Sequence, residues 1–317
     1  MKAFIIKYLI VLVCSLATSI IVCGQNEPNV FTSDIDNFWI AFDSLQTIKE
    51  KNTQIEVMQS MYIDKGTFGL KMFMGLRNFD AAKLVEAINK YPKFWRSIRG
   101  NTLTVKQALP TIENNIQKFK LLYPELRTAK MYFTISAIKA AGVAQDSISL
   151  IGSEIAMGDK NTDVSEFPDK RLANFFKPKD SVDIVPVAIH EYVHTQQKTE
   201  GKLLLGEAIN EGACDFITEL VLKKRLMHSY LIYGRKHEKI LKQQFKKEML
   251  GEDFSNWLYN GATTKTMGDL GYFMGYAICK AYYRHSKNKN AAIKAIIRLD
   301  YSDQSAITQF LAESKYY

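Results

Sequence analysis

Beyond its first residues this chain lacks any long apolar run. Tyr8 to Val22 is shorter than the roughly 20 residues that span a bilayer, and no later segment approaches that length, which excludes a multispan membrane protein. Internal repeats and low-complexity tracts are missing as well. Cysteine is scarce, with only Cys14, Cys23, Cys214 and Cys279. Two of these precede residue 25, and the other two allow at most one disulfide, which excludes a disulfide-built scaffold.

Lys2 and Lys7, the apolar run and then Val22-Cys23-Gly24-Gln25 follow the order of a secretory signal peptide, residues 1–24, cut after Gly24. Export to the periplasm or the exterior is expected. The competing reading is a lipoprotein signal acylated at Cys23, the one expected route to membrane association, although Val22 is bulky beside such a cysteine. Loss of Lys2 and Lys7 lowers the net charge from +9, leaving a moderately basic chain. Much of the excess lies between Lys223 and Lys247, where Arg235, Lys236, Lys239, Lys242, Lys246 and Lys247 interleave with Ile240, Leu241 and Phe245. That pattern reads as a solvated amphipathic helix, and no nucleic-acid partner is expected.

Chemistry is concentrated in two short clusters. His190-Glu191-Tyr192-Val193-His194 sets two imidazoles four residues apart, one helical turn above each other, where both can chelate one ion; zinc takes such nitrogen and oxygen ligands tetrahedrally. Glu191 is rotated by about 100° from His190, which puts it beside the ion, placed to take a proton from water activated there. A catalytic site needs a third protein ligand and one open position. The segment Leu203 to Leu226 is apolar at helical spacing and carries Glu207, Glu211, Asp215 and Glu219 along one side at four-residue steps. Several carboxylates buried without partners would be costly, and a divalent cation with its histidines explains them. Glu211 is the expected third ligand. Asp215, one turn on, is positioned to accept the outer N–H of His190, and Asn210 to do the same for His194. Cys214, in the same segment, reads as a small buried hydrophobe.

These clusters resemble the gluzincin, thermolysin-like zinc metallopeptidases, in which a helix bearing H-E-x-x-H is followed by a second helix supplying a glutamate. Asn210-Glu211 with Asp215 is similar to that second motif. The resemblance implies His190, His194 and Glu211 as zinc ligands, Glu191 as general base, and Asp215 and Asn210 as supports. From about Asp34 through Tyr283 the chain also loosely resembles a bacterial family of predicted zinc-dependent proteases related to a gliding-motility lipoprotein. No glycine and third histidine follow His194, and no Met-turn signature occurs, which argues against the metzincin branch. Gluzincins use a downstream Tyr or His to stabilise the tetrahedral intermediate. Tyr272 and Tyr276 share one helical face and are the catalytic candidates, with aromatic packing as the equal alternative. His228 is the runner-up, and as a helix-terminal cation it has a plain reading too.

The expected fold is α+β and mostly helical: an N-terminal helical lobe over 25–100, then a gluzincin-like catalytic domain over 101–317 with a small sheet preceding the zinc helix. Ser33 or Asp34 caps a first helix, Phe79 to Lys90 forms another that Tyr91-Pro92 stops, and Gly100-Asn101 forms a connector to a helix from Pro110 to Tyr123. Strands are expected at Lys130 to Ile135 and Ser147 to Ala156. By the resemblance, the second would be the edge that holds an extended peptide, with Gly152, Ser153 and Glu154 lining the cleft and Glu154 placed to bind a free amine; as a lone acid on a strand it also reads as simply exposed. Asp159 to Lys179 reads as a long surface loop, with one helical turn as an alternative at Leu172 to Phe176, and Pro186 suits the first turn of the zinc helix. The expected function is zinc-dependent hydrolysis of peptide bonds in a peptide or protein substrate. The rival is a catalytically inactive zinc-binding envelope protein that partners a surface or secretion machinery.

Overall fold

Polar residues that accept backbone N–H groups punctuate the chain into helices. The computed structural model describes residues 29–177, 182–261 and 263–317; the expected signal peptide and Cys23 lie outside the described residues. A short strand, β1 (Val30–Phe31), precedes α1 (Ser33–Leu45) and α2 (Lys51–Met58), which runs on into a π-helical turn at Gln59–Ile63. Then come α3 (Phe68–Arg77), α4 (Ala81–Lys90), α5 (Pro92–Leu103) and α6 (Val105–Leu122). Glu50, Thr67 and Asp80 cap α2, α3 and α4 through their side chains.

Asp34 does not cap α1. It is buried and accepts from Thr67 N (2.9 Å) and Thr67 Oγ1 (2.6 Å), tying α1 to the start of α3. Gly100 and Asn101, expected in a connector, are helical within α5, and Pro110 lies inside α6 rather than at its start.

The middle of the chain supplies β2 (Lys130–Thr134), β3 (Gly142–Gln145) and β4 (Ile148–Gly152), followed directly by α7 (Ser153–Ala156). The sheet order is β1-β2-β4-β3, with β1, β2 and β4 parallel and β3 antiparallel to β4. The edge next to β4 is therefore β3, a strand the sequence reading missed. Gly152 N donates to Ala141 O (3.0 Å), so by antiparallel alternation the N–H and C=O of Gly142 and Ala144 face the free edge.

The remaining helices are α8 (Arg171–Phe176), α9 (Val185–His194), α10 (Leu204–Leu222), α11 (Ser229–Glu248), α12 (Leu270–His285), α13 (Lys289–Arg298) and α14 (Gln304–Ser314). Pro186 sits in the first turn of α9, as its missing donor allows. Helix α9 packs against β3, β4, α6 and α10. The fold is thus α+β and mostly helical, and its buried apolar side chains form one continuous cluster from Val30 to Tyr316. No helix among the described residues is long and apolar enough to cross a membrane. Cys214 and Cys279 are buried and free.

Candidate metal centre

Two helical spacings bring the charged groups together. On α9 the one-turn separation of His190 and His194 sets their Nε2 atoms 3.2 Å apart. On α10, Glu211 Oε2 lies 3.1 Å from His194 Nε2 and 3.4 Å from His190 Nε2. Helix α10 is fixed in turn by α12, because Gly212 and Gly275 let the two backbones touch. A Cβ on Gly275 would lie 1.6 Å from the Ala208 carbonyl oxygen, and one on Gly212 would lie 2.0 Å from Tyr276 N, so only glycine fits at this crossing.

The three mutual distances test whether an ion fits. A cation held tetrahedrally about 2.05 Å from nitrogen and oxygen donors spaces those donors by about 3.3 Å, and the observed spacings are 3.1, 3.2 and 3.4 Å. His190, His194 and Cys214 make a second group whose ligand atoms all lie within 4.8 Å of one another, and it too could hold a metal ion. The glutamate set fits better. Cys214 Sγ donates to Gln197 Oε1 (3.5 Å) and to the Asn210 carbonyl (3.6 Å), and that same Gln197 oxygen sits 2.7 Å from His194 Nδ1, across the ring from Nε2. Burial also pushes the Cys214 thiol well up, away from the thiolate a metal requires.

The acidic stripe on α10 resolves into one set of partners per turn. Glu207 accepts from Gly201 N (2.7 Å) and Tyr259 OH (2.5 Å). Glu211 faces the imidazoles with Oε2 and accepts from Tyr259 OH (2.9 Å) with Oε1. Asp215 meets His190 Nδ1 (2.9 Å) with one oxygen and Tyr230 OH (3.0 Å) with the other. Glu219 takes Tyr276 OH (2.7 Å) and Lys280 Nζ (3.1 Å).

Electrostatics follow from these contacts. Burial works to raise the Glu211 pKa, but His194 and His190 outweigh it and hold the carboxyl below its usual range. Burial works to lower His190, and its bonds to Asp215 and Glu211 reverse that shift. Glu207 is raised by burial. The Tyr259 hydroxyl has one proton and faces two carboxyls, Glu207 Oε1 at 2.5 Å and Glu211 Oε1 at 2.9 Å. Glu191 is raised by burial, against the opposing pull of His194 and His190, and accepts no hydrogen bond from the described residues. Its carboxyl packs on Gly142, where a Cβ would lie 2.2 Å from Oε1.

His190, Glu191, His194, Glu211 and Asp215 therefore stand together. Tyr272 joins them, its ring centre 6.3 Å from that of His190. Tyr276, one turn further along α12, does not, since its hydroxyl is held by Glu219 and Lys280. The support for His194 is Gln197 rather than Asn210, which contributes only its carbonyl, one step out, as acceptor for Gln197 Nε2 (2.9 Å). A polar side chain three residues after His194 was the available signal. His228 stacks on Tyr230, with ring centres 5.4 Å apart, one ring removed from the cluster. Tyr230 and Tyr259 had no sequence signal, because each reaches the site from another element.

Gly152, Ser153 and Glu154 do not line the cleft. Gly152 ends β4, which is interior between β2 and β3, and Ser153 and Glu154 open α7; all three are buried, Glu154 wholly. Glu154 Oε1 accepts from Ser136 N (2.9 Å), Ser136 Oγ (2.8 Å) and Ile138 N (2.8 Å), while Oε2 has no hydrogen-bond partner among the described residues. These bonds hold a loop in which Ala137 (φ 54°) and Ile138 (φ 62°) are both left-handed. That loop leads into β3 and so to Gly142.

Two surface grooves, about 640 Å³ beside Gln304 and Gln309 and about 370 Å³ between Phe68, Tyr132 and Ile148, lie elsewhere and gather no cluster of ionisable groups. The convergence of titratable side chains, rather than groove size, marks the candidate site. No protein-family model, curated protein or solved structure matches this chain.

Proposed function

We propose that this protein is a zinc metallopeptidase that hydrolyses peptide bonds, with His190, His194 and Glu211 as the ligands and Glu191 as the general base. The observation that carries this reading is the triangle of His190 Nε2, His194 Nε2 and Glu211 Oε2, with edges of 3.1 to 3.4 Å, beside the Glu191 carboxyl, which accepts no hydrogen bond from the described residues. Two imidazoles and one carboxylate are the donor set of a catalytic rather than a closed structural zinc site. When bound, zinc supplies a Lewis acid that polarises a carbonyl and lowers the pKa of water from 15.7 towards about 7.

The chain's own groups divide the remaining work. Glu191 takes up a proton at its carboxylate and delivers it to the leaving amine, and burial strengthens its hold on that proton. Asp215 and Gln197 engage the outer nitrogens of the two histidines and keep Nε2 pointed inward. The free edge of β3 at Gly142 and Ala144 offers backbone pairing to an extended peptide and would lay it beside Glu191. Tyr272, whose hydroxyl has no partner among the described residues, is the group available to stabilise charge on the carbonyl oxygen.

A peptide-library digest tests the reading. Cleavage should stop on chelation and return with zinc. E191Q should retain zinc and lose about 10²–10⁴-fold in turnover, and a variant that cleaves as fast as the parent removes the proposed base. Zinc binding without cleavage of any peptide would favour the rival, an inactive zinc-bearing envelope protein.

A further inference from the structure

Tyr259 belongs to the long connection between α11 and α12, yet its hydroxyl lies in the metal centre. The residue is 60% exposed and its ring meets only Tyr272, edge-on at 6.4 Å among the described residues, so burial alone does not hold it there. The connection itself does. Asn260 N donates to Asp269 Oδ1 (3.1 Å) and Asp269 N donates to Asn260 Oδ1 (2.8 Å), a reciprocal clasp that pinches the base of the loop. Tyr259 (φ 57°) and Asp269 (φ 60°) both sit in the left-handed region, which is unfavourable for a non-glycine residue. The loop thus accepts strain at the residue that carries the hydroxyl inward.

At the far end of that side chain, the two oxygens of Glu211 have separate duties. Oε2 faces both imidazoles, and Oε1 accepts from Tyr259 and from no other described group. Without the phenol, Oε1 would have no partner among the described residues, and only the imidazole contacts of Oε2 would oppose rotation of the carboxylate about its last bond. We infer that Tyr259 is a positioning residue for the metal ligand, a strut that fixes Glu211 so that one oxygen alone is presented to the ion. This inference rests on the metal reading above and adds to it a residue from outside both motif helices.

The test is a zinc titration of the full chain against a chromophoric chelator, alongside the melting temperature of the metal-free protein. Y259F should bind zinc about 10–100-fold more weakly, the usual effect of losing an outer-sphere hydrogen bond, with the metal-free melting temperature unchanged. D269A leaves the phenol but opens the clasp, and should weaken binding in the same direction. The double variant should be no weaker than Y259F, because both changes act through one contact. Equal zinc affinity in Y259F and the parent, or losses that simply add in the double variant, would overturn the inference. A parent protein that binds no zinc overturns the metal reading itself, a result distinguishable from either.

Discussion

Glu211 and Glu154 are both buried glutamates, and they respond to burial in opposite ways. Glu211 is held below the usual carboxylate range because two imidazoles face it. Glu154 receives three good hydrogen bonds, but only from neutral groups, and burial pushes it up to about 7. At Glu154 the hydrogen bonds do not offset burial, whereas at Glu211 the facing imidazoles do. The first carboxyl is therefore ready to hold a cation, and the second serves as a brace for the loop that leads into β3.

The largest effect that can sharpen this contrast is at the brace. An unfolded glutamate titrates near 4.5 and Glu154 near 7, so the folded state holds its proton the more tightly. The stabilisation this provides is complete below about pH 4.5 and is lost as pH rises to about 7, roughly 3 kcal/mol in all. E154Q cannot titrate and should lack that slope in denaturant unfolding between these limits. If parent and variant lose stability in parallel, the titrating group lies elsewhere.

A second change acts where the two regions meet. G142A would drive a Cβ into the Glu191 carboxyl, and a displacement of about 1 Å at a reacting group costs on the order of 10²-fold in rate. Turnover should fall by that order while zinc affinity stays at the parent value; a parallel loss of zinc would mean that the strand supports the ligands rather than the base. The smallest expected effect is Q197A, which frees His194 Nδ1 and should weaken zinc about 10-fold, at the lower end of outer-sphere losses. Its Glu191-dependent pH profile should keep the parent's shape, and a shifted profile would show that Gln197 reaches the base.

The histidine pair, Glu191 and the α10 acids were legible in the sequence because their geometry is local: four residues on one helix make one turn, whatever the fold. Asp215 was readable on the same grounds. Gln197 displaced Asn210 because the turn after α9 carries its amide back to His194, a path that helical spacing alone does not describe. The error over Gly152, Ser153 and Glu154 came from taking one β-prone run as an edge strand. Val143 and its neighbours are few and only half-buried, so β3 has a weak pattern, and without it the interior position of β4 was invisible. Tyr230 and Tyr259 enter from distant elements, and only the tertiary fold could reveal them.

Four acids on successive turns of α10 serve Tyr259, the imidazoles, the His190–Tyr230 link and the Lys280 pair. A single inserted residue between Ala208 and Asn210 would swing everything on one side of it by about 100° relative to the other. Glu207 would then part company with the remaining three in one event. The spacing along this rod is therefore locked from Glu207 to Glu219, and a change of length is tolerated only outside that stretch.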